Sequence, residues 1–143
     1  MSIIQQVRAA SAQWLENFNN ENYQACFEAY ELDAAMSVYP HGKFIGREAI
    51  GQFWTAFVEQ AQPKELQDRK VKVHVERDSR AVLSATGSMN VGAGFISKEL
   101  WVKSNDGVWR LAEDDFSIVS QHDVAREPND PADTALIIVD LQE

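Results

Sequence analysis

The chain has 143 residues, 45% of them hydrophobic, which suits one domain built around one core. Its 22 acidic against 13 basic residues give a net charge of −9, so no grip on nucleic acid or anionic lipid is expected, and no run approaches the roughly 20 apolar residues of a membrane span. Met1 to Arg8 lacks the basic segment and apolar run of a secretion signal, so the cytoplasm is the expected compartment, and a single cysteine, Cys26, leaves neither an internal disulfide nor, with His41, His74 and His122, a closely spaced ligand pair for structural zinc.

Along the chain, Ile3, Ile4, Val7, Ser11, Trp14, Leu15 and Phe18 recur at the spacing of one helix face, and Asn19-Asn20-Glu21-Asn22 ends that helix. A second, short helix carries Tyr23, Phe27 and Tyr30 on one side. Ala34 to Tyr39 reads as a strand, with Pro40 at its end because proline cannot donate to a ladder. His41-Gly42-Lys43 is a turn, and Phe44-Ile45-Gly46 leads into a third helix with an apolar stripe of Ile50, Phe53, Trp54, Phe57 and Val58, closed by Pro63.

The remainder reads as sheet. Val71, Val73 and Val75 alternate with Lys70, Lys72, His74 and Glu76 in a half-buried strand. Arg77 to Arg80 turns the chain into a strand over Ala81 to Met89, and Gly92 and Gly94 signal a bulge. Phe95 to Lys103 and Val108 to Val119 flank the hairpin signal Asn105-Asp106-Gly107. Gln121 to Asp133, with Pro128 and Pro131, reads as a polar linker before the apolar run Thr134 to Leu141. Helices first and a meander afterwards make an α+β fold.

Several stretches resemble the SnoaL-like (NTF2-like) family, the group with the ketosteroid-isomerase-like fold. They are Asp33-Ala34-Ala35-Met36-Ser37-Val38-Tyr39-Pro40-His41-Gly42, then Gly46-Arg47-Glu48-Ala49-Ile50 with Phe53-Trp54, and later Asp106-Gly107-Val108-Trp109-Arg110-Leu111 ending in Phe116-Ser117. The resemblance covers residues 3 to 120. It implies a cone-shaped half-barrel, a curved antiparallel sheet wrapped by three N-terminal helices, over residues 1–120, with 121–143 as a separate linker and tail. It also implies a pocket for a small, largely apolar molecule and pairing of two copies through their sheets. The fold hosts many activities, so it does not name a reaction.

In ketosteroid isomerase the proton-abstracting Asp stands just before the Pro-x-Gly of this turn. The matching residue here is Tyr39, whose ordinary pKa of about 10 makes it no ready base near neutrality. That isomerase also has a Tyr donor on its first helix, where the best match is Trp14, an indole N–H donor and not a phenol. The isomerase mechanism therefore does not carry over. The tail segment Ala135 to Gln142 resembles the opening strand of isochorismatase-like hydrolases over eight residues, but Asp140 alone can do none of their chemistry.

Strand alternation groups Phe95, Ser97, Glu99, Trp101 and Lys103 on one face, and Trp109, Leu111, Glu113, Asp115 and Ser117 on one face of the next strand, opposite Arg110, Ala112, Asp114, Phe116 and Ile118. If the faces bearing Trp101 and Trp109 line the cone, Glu99, Glu113 and Asp115 sit in an aromatic pocket where burial and mutual repulsion raise a carboxyl pKa. Otherwise these acids face water or pair with Lys98, Lys103 or Arg110. The candidate catalytic residues are accordingly Glu99, Asp115 and His41, the last for its turn position and its near-neutral titration. The candidate ligand contacts are Trp14, Phe18, Tyr30, Tyr39, Phe53, Phe57, Trp101 and Glu113.

Cys26 reads as a small buried hydrophobe. No cofactor or metal is expected, for there is no phosphate-cradling glycine loop and no ligand spacing. The competing reading is a dimeric ligand-binding or assembly module without catalysis.

Overall fold

Helix α1, Ile3–Asn19, begins with a reciprocal cap: the Ser2 Oγ accepts from the Gln5 N–H at 3.1 Å and the Gln5 Oε1 accepts from the Ser2 N–H at 2.9 Å. The computed structural model describes residues 1–121, so the linker beyond Gln121 and the apolar run Thr134 to Leu141 lie outside the described residues. Val7, Ser11, Trp14 and Phe18 are the buried positions of α1, three or four residues apart as one face requires. Helix α2, Tyr23–Glu28, buries Cys26. Strand β1, Tyr30–Tyr39, folds back into β2, Gly42–Ile45, and helix α3, Arg47–Ala61, follows through Gly46 at φ +95°, a conformation that favours glycine. Strands β3 (Gln67–Arg77), β4 (Arg80–Met89), β5 (Gly92–Lys103) and β6 (Trp109–Gln121) then form a meander.

The six strands make one curved, unclosed sheet in the order β2-β1-β6-β5-β4-β3. All neighbours are antiparallel except β1 and β6, which pair parallel. The sheet is therefore mixed, not the wholly antiparallel one expected. The reason is the long connection: α3 and four strands separate β1 from β6, and such a crossover permits a parallel return that no hairpin could make. Two local expectations also change. Tyr30 opens β1 instead of belonging to α2, and residues 42–45 pair with β1 through Val38↔Gly42 and Ala35↔Ile45, so they form a strand and not a mere lead-in.

Rows of side chains run across the inner face of the sheet. Val75, Ala81, Trp101, Leu111 and Tyr30 are in register across five strands, and the next row is Val73, Leu83, Glu99, Asp114, Met36 and Phe44. With the buried faces of the helices, the apolar members of these rows form one core. Arg8 and Asn19 of α1 fasten the helix to the β3 side: Arg8 Nη1 donates to the Val71 carbonyl at 3.1 Å, and the Asn19 side chain both donates to and accepts from the Leu66 backbone at 2.9 and 2.8 Å.

Candidate functional site

Between α1, α3 and the inner face of the sheet lies a cavity of about 100 Å³. Its walls are mostly apolar: Trp14 and Leu15 from α1, Phe53, Trp54 and Phe57 from α3, and Ile96, Phe116 and Ile118 from the sheet. Phe95, which also lines it, is 55% exposed, so the cavity reaches the surface beside that residue. Three carboxyls, Asp68, Glu99 and Asp114, complete the wall, and among the described residues no lysine, arginine or histidine lines it.

Glu99 and Asp114 are direct partners across the β5–β6 ladder. Each receives hydrogen bonds from behind. Trp101 Nε1 donates to Glu99 Oε1 at 2.8 Å and Ser11 Oγ donates to the same oxygen at 3.2 Å. Tyr30 donates its phenol hydrogen to Asp114 Oδ2 at 2.7 Å and accepts from Trp54 Nε1 at 3.2 Å. Arg47 holds Tyr30 in place by donating to its backbone carbonyl through Nε at 2.9 Å and Nη2 at 2.5 Å. This gives the Gly46-Arg47 opening of α3 a local purpose: it fixes the residue that holds Asp114.

Burial, then the charge of Asp114, pushes Glu99 up to about 8, against the lowering effect of its Trp101 and Ser11 donors. Burial likewise pushes Asp114 up to about 7, and the Tyr30 hydrogen bond pulls the other way. Two adjacent carboxyls in a dry wall do not both ionise readily, so near neutrality the pair holds a proton it can give and a site that can take one. Burial raises Asp68 to about 6. Tyr30 is raised well above its ordinary value, first by burial and then by Asp114, so it stays a donor. The Trp14 Nε1 is buried and has no hydrogen-bond partner among the described residues. Among the described residues no group of three or more His, Cys, Asp or Glu is placed to hold a metal ion.

Of the residues singled out in the sequence, Glu99, Trp14, Phe53 and Phe57 line the cavity. Trp101 and Tyr30 lie behind the carboxyls as their donors, and Phe18 stacks on Trp14 at 5.3 Å without reaching the cavity. Tyr39 is 72% exposed and stands outside it. His41 is exposed in its turn, its ring 5.7 Å from that of Phe53, and does not line the wall. Glu113 pairs with Lys98, and neither Glu113 nor Asp115 belongs to the cavity wall.

The cause of that last correction is a bulge. Trp101 pairs with Leu111, but Leu100 pairs with Glu113, so Ala112 is an extra residue in β6 and the alternation reverses after it. Asp114 thereby takes the inward place that Glu113 and Asp115 would have had if the whole face bearing Trp109 lined the cone. Asp68 was missed for a related reason: a register shift between Arg69 and Lys72, with Lys70 at φ +55°, hides the upstream start of β3 from a reading by alternation. Cys26 is buried as expected, its Sγ 3.5 Å from the Trp14 carbonyl and its thiol pushed by burial to about 12, which leaves no thiolate near neutrality.

The SnoaL-like domain family model matches residues 7–123. The chain belongs to the SnoaL-like family. Among curated proteins, none matches its sequence significantly. Solved structures share the SnoaL-like fold at low identity. A ketosteroid isomerase-like protein from Erwinia carotovora atroseptica superposes with a TM-score of 0.70 at 17% identity, covering 81% of this chain and 95% of that one. ActVI-ORFA from Streptomyces coelicolor gives 0.69 at 8% identity, over 82% and 98% of the two chains. A Catenulispora acidiphila protein in complex with S-DNPA gives 0.68 at 15% identity, over 80% and 92%. No helix among the described residues is long and apolar enough to cross a membrane.

Proposed function

We propose that this SnoaL-like protein binds a small, largely apolar molecule in the cavity between its sheet and helices, and that Glu99 and Asp114 move a proton on it. The observation that carries this reading is the placement of two adjacent, buried carboxyls in an otherwise apolar wall. The protonated member donates to an oxygen of the ligand while its ionised neighbour removes a proton from a nearby carbon or hydroxyl, so proton number is conserved and no cofactor enters. The donors behind each carboxyl, Trp101 and Ser11 on one side and Tyr30 on the other, orient the pair. Isomerisation, dehydration and cyclisation all use such a step. Of the catalytic residues suggested by the sequence, the proposal keeps Glu99 and replaces Asp115 and His41 with Asp114.

The Catenulispora acidiphila neighbour holds S-DNPA, and that compound is a natural first probe beside steroids and polyketide-like aromatics. A ligand at 100 times its dissociation constant adds about 2.7 kcal/mol, a few degrees in melting temperature for a domain of this size. Hits are then incubated in D2O. Incorporation of deuterium that disappears in Glu99→Gln supports proton transfer. Hits that neither exchange nor turn over leave a ligand-binding module without catalysis.

A further inference from the structure

The third carboxyl of the cavity suggests which ligands enter it. Asp68 is aligned with Gly87 of β4, so that strand presents no side chain beside it. Its Oδ1 leans over Gly87, 3.5 Å from where a β-carbon there would sit. Both residues line the cavity. Gly87 thus leaves the space beside Asp68 free of a side chain, and the half-buried carboxylate there has no hydrogen bond or ion pair to a described residue. Glu99 and Asp114, by contrast, each already receive donors from the protein. An open acceptor in an apolar cavity calls for a ligand carrying a donor, and a wall whose described residues include three carboxyls and no cation repels an anion.

We infer that Asp68 is a specificity-determining residue: it accepts a hydrogen bond from an O–H or N–H of an uncharged aromatic ligand and excludes carboxylate analogues from the pocket. This rests on the ligand-binding reading above and names the class of molecule it takes. Asp68 does no chemistry; it discriminates. A phenol-type hydroxyl directed at Asp68 gains a charge-assisted hydrogen bond that a methyl group in the same place lacks, whereas a carboxylate there meets repulsion.

The test uses one scaffold with three substituents: 2-naphthol, 2-methylnaphthalene and 2-naphthoate. Dissociation constants are measured by NMR titration for the wild type, Asp68→Ala and Asp68→Asn. Removing an acceptor that has no partner among the described residues should leave the fold intact, which urea midpoints check. The wild type should bind 2-naphthol about tenfold or more tighter than 2-methylnaphthalene, with 2-naphthoate weakest. Asp68→Ala should shrink the 2-naphthol advantage to about threefold or less while leaving 2-methylnaphthalene within about twofold of the wild type. Asp68→Asn should tighten 2-naphthoate. An advantage for 2-naphthol that survives Asp68→Ala overturns the role of Asp68 but not the pocket, as does 2-naphthoate binding the wild type as tightly as 2-naphthol. Failure of the wild type to bind any of the three, the methyl compound included, overturns both.

Discussion

Glu99 and Asp114 face each other across the β5–β6 ladder, the two acids of the innermost rows set side by side in an apolar wall. Directly opposed residues in an antiparallel pair hold their β-carbons roughly 5 Å apart, close enough for one charge to suppress the other. Both pKa values are raised on folding, to about 8 and about 7. The folded state therefore binds more protons than the unfolded chain between roughly pH 4 and 8, and stability falls with rising pH. Their contribution is complete below the ordinary carboxyl range and is lost as pH rises through the folded values. The melting temperature should drop between pH 5 and 9, with several kcal/mol lost. Glu99→Gln keeps an acceptor for Trp101 and Ser11 and removes the titration, so its curve should be flatter and should cross that of the wild type at alkaline pH. Equal slopes for the two proteins would show that Glu99 does not titrate in this range.

Tyr30 connects this pair to the helices. Its hydroxyl donates to Asp114 and accepts from Trp54, and its carbonyl is held by Arg47. Tyr30→Phe leaves the Asp114 carboxyl and the Trp54 N–H without that shared partner in a buried place, so a loss of about 1–3 kcal/mol is expected from urea unfolding. Because the lost hydrogen bond favours the ionised carboxylate, the Asp114 pKa should move further up. A carboxyl-detected NMR titration in which the upper inflection fails to rise would show that Tyr30 does not hold Asp114 in its charged form.

Much of the fold was legible in the sequence. The helix faces of α1 and α3 follow the 3.6-residue spacing, the valines of β3 alternate, and the Asn105-Asp106-Gly107 turn lies between β5 and β6. The parallel pairing of β1 with β6 was not, because partners far apart in sequence leave no local pattern. Within the site, Glu99 and the aromatics Trp14, Phe53 and Phe57 were singled out and line the cavity, whereas alternation grouped Asp114 on the face opposite Leu111, which it in fact joins. Alternation carries register only until a bulge, and Ala112 is not distinguished by composition from any other strand residue. The reversal yields a control. Glu113→Gln and Asp115→Asn, outside the cavity, should leave both ligand affinity and the alkaline loss of stability near those of the wild type. The Lys98–Glu113 ion pair is solvent-screened, so its loss should cost at most about 1 kcal/mol. Ligand affinity reduced as strongly as by Asp114→Asn would mean that the outward acids reach the pocket after all.

Gly94 and Gly51 separate close approach from flexibility. A β-carbon on Gly94 would collide with the Ser117 carbonyl of the neighbouring strand, a backbone group that cannot turn aside. Gly94→Ala should therefore force β5 and β6 apart where they form the cavity wall, costing about 2 kcal/mol or more and weakening ligand binding with it. Gly51 lies inside α3, and its added β-carbon would meet the Phe27 ring at 3.5 Å, an ordinary contact. There the helix gains from the lower backbone entropy of alanine, so Gly51→Ala should stabilise by about 0.5–1 kcal/mol with no change in affinity. Chemical denaturation of the two variants beside the wild type tests both signs at once. A stable Gly94→Ala protein with unchanged affinity would show that the β5–β6 approach is looser than the close packing of Gly94 against Ser117 requires.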